Sequence, residues 1–220
     1  MTAQSAGLQS PGVAHASPAA ALRRLGVFGG AFDPPHEAHR AIAKAAIAQL
    51  QLDALWVFPT GQAWHKTRVL SEARHRIAMA ELAFADLPAA RVDLRETLRC
   101  GPSYTVDTLR ELHAELPQTQ LFLLMGQDQA RALSNWREWQ AVVGLAIICV
   151  AARGDSTGTD TAPMPPAGLE RRFSTLHLPS FSISATDIRA RVRAAEPVAP
   201  LVGDAVARYI VHHHLYQADR

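Results

Sequence analysis

The run Gly26-Val27-Phe28-Gly29-Gly30-Ala31-Phe32-Asp33-Pro34-Pro35-His36-Glu37-Ala38-His39 holds a strand end, a turn and a helix start in direct succession. Leu25 to Gly29 is an apolar stretch that stops at glycine, as a buried strand does. Gly29 and Gly30 allow a sharp backbone turn and a close ligand approach. Asp33-Pro34-Pro35 is turn-forming. His36 and His39 are three residues apart and share one face of the first helical turn. There, unpaired N–H groups and the positive end of the helix dipole favour an anion. Each imidazole can donate a hydrogen bond, and a polyphosphate beside it would raise its pKa. The rival reading makes His36 a plain helix start, His39 a surface residue and Asp33 a turn former. The spacing is one residue too short for the H-E-x-x-H zinc signature, and neither G-x-G-x-x-G nor G-x-x-x-x-G-K-[ST] occurs.

Outward from this run, apolar strands alternate with helical patterns. His36 to Leu50 is predicted helical, with Ile42, Ala46, Ile47 and Leu50 on one side. Leu55 to Phe58 reads as a strand, and Ser71 to Phe84 as a helix with Ile77, Leu82 and Phe84 in the core. Arg91 to Leu94 is a weaker strand. Thr105 to Leu116 is a helix closed by Pro117, Gln120 to Met125 a strongly apolar strand, and Ala146 to Val150 another. A short strand near Leu176 to Leu178 and helices from about Ser184 and Leu201 complete the order. This alternation implies an α/β fold, a doubly wound parallel sheet with helices on both faces and a small C-terminal helical part. Such sheets bind ligands beyond the carboxyl ends of their strands, near a topological switch point.

The chain has 220 residues, enough for one domain, which we place at 22–220. Residues 1–21 read as a disordered leader of small residues and proline. Residues 154–170, rich in Gly, Ser, Thr and Pro, read as a mobile loop. An apolar fraction of 48% and a charged fraction of 19% exclude wholesale disorder. Lys plus Arg number 22 against 20 for Asp plus Glu, too balanced for a broad nucleic-acid-binding surface. Cys100 and Cys149 form no C-x-x-C pair, which argues against a disulfide framework or structural zinc and for a reduced, cytoplasmic protein. Cys149 sits in an apolar strand as inert core. No stretch is a signal peptide or long enough to span a bilayer. His212-His213-His214 cannot share one metal ion from consecutive helical positions and reads as a helix ending.

A second anion cradle lies in Phe181-Ser182-Ile183-Ser184-Ala185-Thr186-Asp187-Ile188-Arg189. Ser184 and Asp187 form a capping-box pattern. A cap alone explains that pair. Thr186 adds a hydroxyl, and Arg189 adds a fork that can engage two phosphate oxygens.

Together these signatures resemble the nucleotidylyltransferase superfamily, with its Rossmann-like sheet, His-x-x-His motif and late I-S-x-T-x-x-R motif. Within it the chain resembles the nicotinate-nucleotide adenylyltransferases from about Leu25 to Tyr216. Further segments carry the narrower match: Pro59 to Lys66, Pro102 to Leu109, Met125-Gly126-Gln127-Asp128, Asn135-Trp136-Arg137-Glu138-Trp139, and the ending Tyr209 to Tyr216. Two positions depart from the family pattern. Ala38 stands where glycine is usual, and Ala31 where threonine is usual, so one hydroxyl contact to phosphate is missing.

The resemblance implies adenylyl transfer from ATP to nicotinate mononucleotide, giving nicotinate adenine dinucleotide and pyrophosphate, a step of NAD biosynthesis. It implies His36, His39 and Arg189 as the catalytic groups on the triphosphate. Gly29, Gly30, Phe32, Ser184, Thr186, Gly126 and Asp128 would bind ATP. Tyr104, Thr105, Trp136, His65 and Lys66 would bind nicotinate mononucleotide, Trp136 by stacking on the ring and Thr105 through a helix start facing the carboxylate. Packing for Trp136, capping for Asp128 and solvation for His65 and Lys66 are the competing readings. Mg2+ is expected with ATP, held by phosphate oxygens and water rather than protein side chains. The implied partners are these small molecules, not nucleic acid or a membrane, and the oligomeric state stays open. Pantetheine-phosphate adenylyltransferase, a cytidylyltransferase and a non-catalytic nucleotide-binding module are the alternatives.

Overall fold

The first strand, β1 (Arg24–Gly30), is the centre from which the sheet grows in both directions. In the computed structural model, residues 22–62, 69–153, 168–179 and 183–217 are described. Along the chain β1 is followed by α1 (Glu37–Gln49), β2 (Ala54–Pro59), α2 (Ala73–Phe84), β3 (Ala90–Val92) and α3 (Arg95–Leu98). Next come α4 (Thr105–Glu115), β4 (Gln120–Gly126), α5 (Gln127–Arg131), α6 (Trp139–Leu145) and β5 (Ala146–Arg153). The chain ends with β6 (Phe173–Leu178), α7 (Ala185–Arg193), α8 (Ala199–Val202) and α9 (Asp204–His212).

All six strands run parallel in the order β3-β2-β1-β4-β5-β6. The order reverses between β1 and β4, so their carboxyl ends diverge and leave a crevice. Side chains alternate between faces with the strand period of two. Phe28, Leu55, Val57, Phe122, Leu124 and Cys149 enter one core, under α1, α2 and the C-terminal helices. Leu25, Val27, Trp56, Phe58, Leu121, Leu123 and Met125 enter the other, under α4 and α6. Burial on both faces explains why these strands read as continuous apolar runs. The doubly wound sheet is as expected from the sequence. Cys149 is buried, and burial pushes its thiol up to about 12, so it stays an unreactive thiol.

Several local expectations need correction. Leu82 is exposed, because the stripe of α2 that faces the core is Arg76, Met79, Ala80, Ala83 and Phe84. That set has helical spacing, but its first member is charged and an apolar count passes over it. β3 is shorter than predicted, since Asp93 and Leu94 leave the sheet to start α3. The helix expected from Leu201 is two helices, α8 and α9, parted by Gly203 at φ 82°. The predicted leader lies outside the described residues, as do residues 154–167 of the predicted loop. Residues 168–170 of that loop are ordered: the Gly168 N–H donates to Glu170, which opens a 3-10 turn. The triple histidine is a helix ending, as read, with α9 stopping at His212. No described helix is long and apolar enough to cross a membrane.

Candidate active site

Where β1 and β4 diverge, a cavity of about 550 Å³ opens, within the range of roughly 300–1,000 Å³ common for small-ligand sites. Gly29, Gly30, His36 and His39 line it from the β1–α1 connection. Gly126 and Asp128 line it from the end of β4, and Ser184 from the start of α7. Tyr104, Thr105 and Trp136 line it from α4 and the segment before α6. One enclosure therefore joins residues from both groups singled out in the sequence.

The β1–α1 connection is not built as the sequence suggests. Neither Gly29 nor Gly30 has a positive φ; the left-handed residue is Phe32, at φ 48°. Gly30 is glycine because a Cβ there would press on the Phe32 ring at 3.0 Å. A Cβ at Gly29 would meet nothing within 4 Å. Its missing side chain leaves room beside the cavity rather than enabling a turn. Phe32, expected at the ATP site, is 1% exposed and is absent from the cavity wall. Its ring packs edge-on to Phe28 and Phe84. Phe32 supports the site from the core because the left-handed turn drives its ring inward.

The two histidines are held in distinct states. The His36 N–H donates to His39 Nδ1 at 3.2 Å, which caps α1 and leaves the His39 proton on Nε2. The rings lie 3.8 Å apart, centroid to centroid. Two imidazolium ions at that distance would repel. His36 is buried, and desolvation pulls its imidazole down to about 4, so it is neutral near pH 7. Its buried Nδ1 faces the His39 N–H as the other half of the capping box, without a full hydrogen bond among the described residues. A polyphosphate thus meets a neutral His36 rather than a preformed cation at that position.

The late motif reaches the same place. Ser184 caps α7, its hydroxyl accepting the Asp187 N–H at 3.1 Å. Arg189 donates through Nη1 to the Asp33 carbonyl oxygen at 2.8 Å and through Nη2 to Thr186 Oγ1 at 3.1 Å. The guanidinium therefore ties α7 to the turn that precedes His36. Thr186 turns its hydroxyl to Arg189 and, like Arg189, is not part of the cavity wall. For Thr186 and Arg189 alike, the expected direct contact is not seen in this arrangement. Asp33 is more than a turn former. It is buried, and its carboxylate accepts the Ser71 N–H at 3.1 Å and the Tyr216 hydroxyl at 2.6 Å. Burial and the neighbouring Asp33 carboxylate push the Tyr216 phenol well above its ordinary range, which keeps it a donor. His65 and Lys66 lie outside the described residues.

With this geometry the comparisons are informative. The sequence pattern of the cytidylyltransferase-like family matches residues 27–191. A protein of Albidiferax ferrireducens, named "probable nicotinate-nucleotide adenylyltransferase", is 59% identical over 196 residues, covering 89% of this chain and 99% of its own length. One of Methylibium petroleiphilum with the same name is 40% identical over 205 residues, covering 90% and 94%. The chain belongs to the nicotinate-nucleotide adenylyltransferase family. In fold it is similar to Plasmodium falciparum nicotinic acid mononucleotide adenylyltransferase, solved as a complex with NaAD. That match has a TM-score of 0.70 at 18% identity and spans 88% of this chain and 97% of the other.

Several polar cavity residues of this family member were given no role in the sequence reading, among them Arg137, Gln127, Thr60 and Glu96. Arg137 lies with its guanidinium carbon 4.7 Å from the centre of the Tyr104 ring, beside Trp136. A cation next to a tryptophan was a usable signal. Gln127 buries its Nε2 without a partner among the described residues, and Thr60 follows β2. Glu96 is 6% exposed, and burial pushes its carboxyl up to about 7. Its hydrogen bond from Thr108, at 2.9 Å, spans two elements and leaves no trace in local sequence.

Proposed function

We infer that this protein transfers the adenylyl group of ATP to nicotinate mononucleotide, releasing pyrophosphate and forming nicotinate adenine dinucleotide. The observation that carries this reading is the single cavity running from His36 and His39 to Tyr104, Thr105 and Trp136. A nucleotide triphosphate at the first group and a pyridine ring at the second would bring their phosphates together at the switch point. The family membership supports the same reaction.

The mononucleotide's phosphate oxygen forms a bond to the α-phosphorus of ATP while the bond from that phosphorus to the bridging oxygen breaks. Pyrophosphate departs with the electron pair. The nucleophile is already anionic, so no side chain needs to remove a proton. The task of the protein is to align two groups that repel each other and to stabilise the departing charge. His39 and His36 each donate a ring N–H to phosphate oxygens, and Ser184 presents the start of α7. Arg189 holds the Asp33 turn against α7 and contributes positive charge beside it. Mg2+ would supply further charge neutralisation at the triphosphate when bound. Among the described residues no group of three or more His, Cys, Asp or Glu is placed to cage an ion. The donors at the phosphate end suit phosphate oxygens instead.

At the other end, Trp136 is half-buried and stacks on the pyridine ring, while the first turn of α4 faces the ring carboxylate. Stacking on an aromatic ring is worth about 1–3 kcal/mol. Trp136→Ala is therefore expected to raise KM for nicotinate mononucleotide roughly tenfold and to leave KM for ATP nearly unchanged. Steady-state kinetics with each substrate varied in turn check this; equal changes in both constants would make Trp136 a packing residue only.

The function itself is tested by pyrophosphate release on mixing ATP with nicotinate mononucleotide, its amide or phosphopantetheine. Release is expected to be fastest with nicotinate mononucleotide. Release with phosphopantetheine alone, or with none of the three, would overturn the reading.

A further inference from the structure

Glu96 is a buried carboxyl on the cavity wall with no role in the transfer described above. It sits in α3, and its carboxyl Oε1 accepts the hydroxyl of Thr108 in the second turn of α4. Its own carbonyl oxygen accepts the hydroxyl of Ser103, the residue before the Tyr104 cap. Glu96 is thereby anchored at both ends to the start of α4, where the pyridine carboxylate is placed. Among the described residues, its Oε2 has no recorded hydrogen bond.

The Thr108 hydroxyl and the Arg99 charge favour the ionised form of Glu96, but burial outweighs them. Arg99 approaches through the shared Thr108 hydroxyl at 3.3 Å, but its other nitrogen is paired with Glu111 at 2.7 Å. Arg95 is occupied by Asp93 at 3.0 Å and Glu115 at 2.9 Å. Asp93 and Glu111 both oppose ionisation of Glu96. Arg137 lies over Tyr104 on the same wall. Burial is the leading reason the carboxyl stays neutral up to about pH 7.

We propose that Glu96 is the residue that reads the substituent on the pyridine ring, accepting an anionic carboxylate while neutral and excluding it once ionised. The proposal rests on the nicotinate mononucleotide reading. A neutral Glu96 donates a hydrogen bond from Oε2 to the ring carboxylate. An ionised Glu96 repels that carboxylate and accepts instead from a carboxamide NH2. Preference for acid over amide therefore falls as pH rises through the titration of Glu96. Binding competence for the acid tracks the neutral fraction, which drops about tenfold between pH 6 and pH 8 for a group titrating near 7, and the preference falls by at least that much.

The test is the ratio of kcat/KM for nicotinate mononucleotide to that for its amide, measured from pH 6 to 8. The two substrates share their phosphate and the ATP partner, so titration of His36, His39 and the phosphates cancels in the ratio. A fall of at least about tenfold in the unmodified protein is expected. Glu96→Gln keeps the acceptor for Thr108 and is expected to flatten the profile near its low-pH value. A flat profile in the unmodified protein, with the acid still used, would overturn the proposal and spare the substrate reading. No pyrophosphate from either mononucleotide at any pH would overturn both. A Glu96 that only supports the fold would move both substrates together and leave the ratio flat, which also overturns the proposal.

Discussion

His39→Ala is expected to lower kcat by about a hundredfold or more, with only a small loss of stability. The rate effect follows from removing a preorganised donor to the leaving group, worth roughly 3–4 kcal/mol in comparable sites. The stability effect is smaller because His39 is half-buried and its structural contribution is narrow. It accepts the His36 N–H at 3.2 Å and packs its ring on His36 and Phe32. Loss of a helix cap of this kind costs about 1 kcal/mol. The two contributions can be separated. Asn at position 39 places an acceptor where Nδ1 was, so it keeps the cap and loses the distant donor. Its melting temperature is expected to recover while turnover stays low. Gln reaches the position of Nε2 and is expected to regain part of the turnover. Near-normal turnover in His39→Ala would remove His39 from the phosphate end altogether.

Gly61→Ala is expected to cost about 3 kcal/mol of stability, a fall in Tm of roughly 6–12 °C for a chain of this size. Molecules that still fold are expected to show KM for nicotinate mononucleotide raised at least tenfold, with KM for ATP little changed. A Cβ on Gly61 would overlap the carbonyl oxygen of Glu96 and stand 2.9 Å from Ser103 Oγ. The chain at this point cannot move aside. The Thr60 N–H donates to the Gly30 carbonyl at 2.8 Å, and the Ser103 N–H donates to the Gln62 carbonyl at 3.0 Å. The buried Arg76 grips the Thr60 carbonyl at 2.6 Å and also holds the carbonyls of Ala31 and Ser71. The added methyl group must therefore displace the segment from Glu96 to Tyr104, the wall of the ring pocket. Thermal melts and kinetics with both substrates check this. Unchanged values of Tm and KM would show that the two segments are not in firm contact.

Elements whose signal is local were legible without coordinates. β1, β2, β4 and β5 are apolar over most of their length because both faces of the sheet are covered, and such runs announce themselves. The Ser184 cap was readable because its partner, Asp187, is three residues away. The His-x-x-His pair was readable for the same reason. The short helices α3 and α5 were not, since neither is long enough to display a period.

The chain's own order of strands, turns and helices was enough to determine a parallel doubly wound sheet with helices on both faces. Periodicity and capping act over a few residues and survive in a linear text. Tertiary structure alone decided that Arg189 meets the Asp33 carbonyl, that Arg76 is buried beneath the site, and that Thr108 reaches Glu96. The reason is physical. Burial turns a surface-type residue into a clasp or a proton-sensitive acid only after distant segments close around it, and no neighbour in sequence records that closure.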